Sequence, residues 1–294
     1  MNSELNITHA NIIDNAPNIA VRRGIKNPKV LLVRPPQQFF FGVWPRGPRL
    51  GLPVGILSIA SFLESRNIHV DVYDCFVEGA MFAPDKNNKD NKKVMSSKGI
   101  LKKWMHMFED GGVNPDEVNG SDGLRHFGAS WEDLKRTLVE RKPDIVGLSN
   151  IFRENTNETI EASKLIRSVL PEALIVVGGP NATALPDFLL EESSSIDAIA
   201  MGDGEDTMYK FVEWMQGKRE FDTIENIVYR SGNSPKTPEE PPSGQGCSAK
   251  EYPGHIRSSK SELRTNLDEL GTLNYNILKL ERYFMYERNG IMAR

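Results

Sequence analysis

Hydrophobic and polar positions along the chain fall into short apolar runs separated by stretches of helical spacing. The first run is KVLLV, Lys29 to Val33, halted by Pro35 and Pro36. Proline removes a backbone donor, so such a run predicts a strand that ends there. After a long loop, VGILSIASFLESRN puts Ile56, Ile59, Ala60 and Leu63 on one helical face, with Glu64 and Arg66 on the other. HVDVYD predicts a second strand, DIVGLS a third, ALIVVGG a fourth, and DAIAMGDGE a fifth that runs into a glycine turn.

Helical patterns fill the intervals. SWEDLKRTLVERK predicts a helix capped by Ser130, with Asp133 at the capping-box position. NETIEASKLIRSVL predicts a helix ended by Pro171, ALPDFLLEE a short one, and EDTMYKFVEWMQG another with Gly217 past its end. IENIVYR is a candidate for a last strand. Short apolar strands alternating with helices predict an α/β, doubly wound (Rossmann-like or flavodoxin-like) fold. Its parallel five-stranded sheet would carry helices on both faces.

Three stretches depart from the alternation. Residues 1–28 are polar and asparagine-rich, and read as a flexible leader. From about 77 to 130 the pattern dissolves into PDKNNKDNKK and EDGGVNPDEVNGSDG, with GILKKWMHMFE between them as one possible amphipathic helix. That stretch reads as an insertion in a domain spanning 29–232. Residues 233–294 begin as a Pro/Gly/Ser/Lys linker and end in NLDELGTLNYNILKLERYFMYERNGIMAR, too short to form a core alone. The expectation there is a linker and the start of a truncated further domain.

Composition narrows the partners. The 294 residues carry a formal charge of -4, which gives no electrostatic reason to expect nucleic acid. No apolar run reaches membrane-spanning length and the N-terminus lacks a signal-peptide core, so a cytoplasmic protein without a membrane partner is expected. The two cysteines, Cys75 and Cys247, cannot make a four-cysteine zinc site or a three-cysteine iron–sulfur site. No metal ligand and no catalytic residue is therefore assigned.

Ligands of doubly wound sheets sit outside the carboxyl ends of the strands. Strand one is followed by Pro35 and a loop containing Gln37, Trp44, Arg46, Arg49, Gly51 and Leu52. The third strand leads to Ser149, Asn150 and Ile151, the fourth to Gly178, Gly179, Pro180 and Asn181, and the fifth to Gly202, Asp203, Gly204 and Glu205. Small residues after three strands leave backbone uncovered, where a large flat or elongated group could lie. Singly, each piece also serves as an ordinary turn or helix cap. Neither GxGxxG after strand one nor GxxxxGK[ST] occurs, which makes nucleotide binding the weaker reading.

VGLSNI, VVGGP and MGDGE, in that order, resemble the cobalamin-binding domain that precedes the catalytic domain of B12-dependent radical S-adenosylmethionine enzymes. KVLLVRPP with LGLPVGILSIASFLE resembles that family's opening strand, loop and first helix, and NLDELGTLNYNIL its bridge to the radical domain. The resemblance implies a base-off corrinoid on the strand ends, its nucleotide tail threaded between sheet and helix. Ser149 would then contact the tail, Gly178, Gly179 and Pro180 would line its channel, and Gly202 to Glu205 would border the tail or the ring edge.

Two departures from the family are visible. The loop after strand one has no histidine, and His9, His69, His106, His126 and His255 are not placed to ligate cobalt. A His-off cobalamin is therefore expected, its lower face met by Gln37, Trp44, Arg46 or Arg49. The CxxxCxxC motif that holds the [4Fe–4S] cluster is also absent. The cluster, S-adenosylmethionine and the radical domain are thus expected in a missing C-terminal portion, and the implied parent is a methyltransferase whose corrinoid carries the methyl group. A free-standing cobalamin carrier or sensor, and a flavin- or nucleotide-binding doubly wound domain, are the alternatives.

Overall fold

A computed structural model describes residues 24–40, 51–78, 124–230, 256–260 and 266–284. Five parallel strands form the middle of one sheet: β1 (Val30–Arg34), β3 (Val70–Asp74), β5 (Ile145–Ser149), β6 (Leu174–Gly178) and β7 (Ala198–Ala200). Their spatial order is β3-β1-β5-β6-β7, so the chain reverses direction across the sheet between β1 and β5. That crevice is the switch point of a doubly wound sheet.

Strand alternation sorts the core into two layers. Leu31, Val33, Val146, Leu148, Ile175, Val177 and Ile199 face one way, toward α3 (Trp131–Arg141), α4 (Thr156–Val169) and α6 (Pro186–Glu192). Val30, Leu32, Ile145, Leu174, Val176, Ala198 and Ala200 face the other, toward α1 (Val54–Glu64) and α7 (Gly204–Met215). A period of two on every strand is what helices on both faces require. Each fully buried Leu, Ile or Phe contributes roughly 1.5–3 kcal/mol from its removal from water. At Gly147 an added Cβ would stand 2.7 Å from Leu32 Cδ2 and 3.4 Å from Met208 Cε, so its hydrogen lets α7 settle onto the sheet.

The capping signals around α3 and α7 are met in the structure. Ser130 accepts from the Asp133 backbone N–H at 3.1 Å and the Asp133 carboxylate accepts from the Ser130 N–H at 3.3 Å, a complete capping box on α3. The bonded Ser130 hydroxyl, with Arg136 alongside, holds the Asp133 carboxyl below its usual range. Gly217 follows α7 with φ +75°.

Tertiary pairing adds elements that the pattern did not predict. Gln37–Phe40 (β2), expected in a loop, pairs antiparallel with Leu124–Phe127 (β4), expected in the insertion. Ile227–Arg230 (β8) is the anticipated last strand, but it runs antiparallel to β7, and Ile256–Ser258 (β9), in the stretch read as a linker, extends the sheet to seven strands. An apolar run does not encode direction; the path of the connecting chain sets it. Cys75–Glu78 (α2) follows β3 directly, and Pro180–Ala184 (α5) precedes α6. The helix considered within GILKKWMHMFE and the leader up to residue 23 lie outside the described residues.

The segment 266–284 packs on the α1 side. Leu278 and Tyr283 join Leu57, Phe76 and Val77 in a small apolar cluster, with Tyr283 in α8 (Leu280–Phe284). The Asn274 backbone N–H donates to Ser61 Oγ at 2.8 Å and its side chain to Glu64 Oε2 at 2.7 Å. Arg282 donates to Val77 O and Glu78 Oε2, each at 2.8 Å.

Candidate functional site

The carboxyl ends of the parallel strands place five residues in one row on the α1/α7 face. Arg34 pairs in register with Asp74, Ser149 with Gly178, and Gly178 with Ala200. Arg34 and Ser149 each lie one residue beyond the paired Val33 and Leu148. The row is thus charged at the β3/β1 end and made of Ser, Gly and Ala across β5, β6 and β7. A Cβ built on Gly178 would lie 3.7 Å from the Ala200 Cβ, so methyl-sized groups fit here and nothing larger fills the floor.

The loops behind the row are held by a buried amide network. Asn150 is 0% exposed; its N–H donates to Gly178 O at 2.7 Å and its Nδ2 to Thr159 Oγ1 at 2.9 Å. Asn181 Nδ2 donates to Asn150 Oδ1 at 2.5 Å and to Thr156 Oγ1 at 3.0 Å. The turns after β5 and β6 are thereby tied to each other and to the start of α4. Gly179 permits the tie: at φ +113° its missing Cβ would stand 2.6 Å from Asn150 O. The Oδ1 of Asn155, in the 3-10 turn that leads into α4, is buried without a partner among the described residues.

A second junction borders the row at α7. A Cβ on Gly204 would meet Ile59 Cδ1 at 2.6 Å, so this glycine lets the N-terminus of α7 touch α1. Ser58 Oγ donates to Glu205 Oε1 at 2.5 Å across the same contact. Gly202, at φ +67°, donates its N–H to Thr183 Oγ1 at 3.1 Å. Asp203 precedes α7 without a side-chain cap bond and is exposed.

The sequence-predicted residues thus separate by position. Ser149, Gly178, Gly202 and Asp203 lie open or half-open at the strand ends, whereas Asn150, Gly179, Asn181, Gly204 and Glu205 hold the loops and helices around them. Pro180 opens α5 and is exposed, as is Ile151; its neighbour Phe152 is 62% exposed. Pro35 is buried, Gln37 opens β2, Gly51 is exposed, and Leu52 packs against the cluster around Leu57. Trp44, Arg46 and Arg49 lie outside the described residues. His69 stands at the opposite, amino end of β3, and His126 pairs with Gln38 in the small sheet.

Arg34, the last residue of β1, is joined at the strand ends by Asp74 and Tyr283, two residues not anticipated there. Arg34 grips Asp74 through Nε–Oδ1 at 2.7 Å and Nη2–Oδ2 at 2.5 Å, and its Nη1 donates to Gly51 O at 2.9 Å. The Phe76 N–H donates to Asp74 Oδ1 at 3.0 Å, and the Tyr283 hydroxyl to Asp74 Oδ2 at 2.5 Å. The guanidinium carbon also lies 4.1 Å from the Phe76 ring centroid. Opposite charges closing KVLLVR and HVDVYD were a readable sign of this pairing; Tyr283, distant in sequence, was not. Burial, and then the adjacent Asp74 charge, push the Tyr283 phenol and the Cys75 thiol well up. Both stay protonated.

Among the described residues no cluster of His, Cys, Asp and Glu could hold a metal ion, and no helix is long and apolar enough to cross a membrane. A family model for the B12 binding domain matches residues 116–212. The chain is 31% identical over 137 residues to the cytidylyl-2-hydroxyethylphosphonate methyltransferase of Streptomyces wedmorensis, covering 47% of this chain and 26% of that protein. It is 30% identical over 107 residues to the hopanoid C-3 methylase of Methylococcus capsulatus, covering 36% and 21%. The chain therefore spans about a quarter of the length of these relatives. The cobalamin-dependent S-adenosylmethionine radical enzyme OxsB, solved with aqua-cobalamin and S-adenosylmethionine, shares the fold with a TM-score of 0.51 at 17% identity, over 89% of this chain and 26% of that one. Residues 116–212 thus match the B12 binding domain family, and the chain shares its fold with a cobalamin-dependent S-adenosylmethionine radical enzyme.

Proposed function

We propose that this chain is the cobalamin-binding module of a B12-dependent radical S-adenosylmethionine enzyme, one that transfers a methyl group. The observation that carries the reading is the row Ser149, Gly178, Ala200 on the α1/α7 face of a B12-binding domain. A long cofactor tail entering a packed sheet needs a floor without side chains and a few polar atoms beside it. Gly178 and Ala200 supply the floor, and the half-buried Ser149 adds a hydroxyl in the same row.

In this reading the cofactor is base-off because its tail is threaded into the sheet away from the ring, and His-off because His69 lies at the far end of the sheet and the segment after β1 contains no histidine. When bound, cobalamin supplies a carbon–cobalt bond that carries an alkyl group. The protein's own residues bind and orient. Asn150 and Asn181 would fix the loops that shape the tail channel, and Ser149 would donate to the tail. The radical chemistry, with its cluster and S-adenosylmethionine, belongs to sequence beyond these residues, since two cysteines cannot hold a three-cysteine cluster.

The experiment is an absorbance spectrum of the purified chain after incubation with hydroxocobalamin and gel filtration. Stoichiometric retention with a base-off spectrum, lost in Gly178→Phe, is the expected result. A base-on spectrum would refute the threaded tail. Retention of a flavin or nucleotide in place of cobalamin would refute the function.

A further inference from the structure

The cofactor row ends, on the β1/β3 side, in a buried ion pair that a residue more than two hundred positions away completes. Arg34 is 8% exposed, Asp74 3% and Tyr283 3%. Both carboxylate oxygens of Asp74 are used twice: Oδ1 by Arg34 Nε and the Phe76 N–H, Oδ2 by Arg34 Nη2 and the Tyr283 hydroxyl. The remaining arm of the guanidinium reaches Gly51 O, two residues before Pro53 and α1. Removing one partner from such a saturated set leaves a buried charge under-satisfied, and the set rearranges as a unit.

Resting on the cobalamin reading, we propose that Tyr283 is a positioning residue for the cofactor. Through Asp74 it fixes the fork of Arg34, and through Arg34 it fixes Gly51 at the mouth of the row. The segment 274–283 is itself seated on α1 and α2 by Asn274 and Arg282, so Tyr283 transmits where that segment sits. Affinity at the strand ends is thereby coupled to the docking of the chain's C-terminal segment.

The test uses the full chain with Tyr283→Phe, Arg34→Lys and the double variant. Hydroxocobalamin Kd is measured by absorbance titration. Hydrogen exchange is followed in the cofactor-free proteins over the peptide from Gly51 to Leu57 and, as a reference, over β5 and β6. Tyr283→Phe should weaken binding about tenfold and speed exchange from Gly51 to Leu57 alone. The double variant should bind no more weakly than Arg34→Lys, because the two residues act in series.

Tight binding by Tyr283→Phe beside a binding wild type would overturn the proposal and leave the cobalamin reading intact. So would additive losses, or faster exchange spread evenly over the sheet, which would mark a merely structural role. A wild-type chain that binds no cobalamin sinks both.

Discussion

Gly178 and Gly179 are adjacent in sequence, yet the structure predicts opposite responses to alanine. At Gly179 the backbone sits at φ +113°, where an L side chain is strained by about 1–3 kcal/mol. The added Cβ would also stand 2.6 Å from Asn150 O and 3.0 Å from Asn150 C, both backbone atoms of a residue held by Gly178 O, Thr159 and Asn181. Relieving the overlap means moving that turn and weakening one of its hydrogen bonds, at about 1–2 kcal/mol. Gly179→Ala should therefore cost about 2–5 kcal/mol. At Gly178 the same Cβ would meet Ala200 Cβ at 3.7 Å, an ordinary contact, and no positive φ is involved. Gly178→Ala should be neutral or stabilising by up to about 1 kcal/mol through the unfolded chain. Urea titrations followed by far-UV circular dichroism would resolve the difference, since about 3 kcal/mol moves a midpoint by roughly 1 M or more. Two variants within about 0.5 kcal/mol of each other would refute the assignment of Gly179 to a backbone tie.

Other perturbations follow from the same geometry. Asn150→Ala should cost about 2–3 kcal/mol in denaturant unfolding, because Asn181 and Thr159 each lose a buried partner; a loss below about 0.5 kcal/mol would show the network is slack. Burial outweighs the Arg167 contact and pushes the Asp197 carboxyl up to about 6 from 3.8. The folded state then takes up this proton first, so its contribution to stability is complete below pH 3.8 and lost as pH rises through 6. Wild type compared with Asp197→Asn should gain about 1–1.5 kcal/mol between pH 7.5 and pH 5, and a pH-independent difference would contradict the sign. Cys75 is fully buried beside Asp74, so a thiol reagent should label it in the native protein no faster than the protein unfolds; labelling within seconds would place it elsewhere.

The sequence by itself determined the parallel core of the sheet, its main helices and which residues reach the carboxyl ends of the strands. Runs such as KVLLV and ALIVVGG are legible because a strand buried on both faces must be apolar throughout, and the capping box at Ser130 because it is local. The strand-end residues were legible for the same reason: position along a strand fixes which end of the sheet a residue reaches. What those residues do there was decided only by tertiary structure. Asn150 reads as a ligand contact in one dimension, but Asn181 and Thr159, brought in by α5 and α4, bury it as a brace. Glu205 reads as a first-turn acid until α1 presents Ser58 to it. The pairing of Gln37–Phe40 with Leu124–Phe127, the antiparallel edge strands and the Tyr283–Asp74–Arg34 cluster all join segments far apart in the chain. Periodicity reports only which face a residue turns toward the core. The partner waiting there is chosen by how separate elements pack, and a single sequence does not carry that choice in any local pattern.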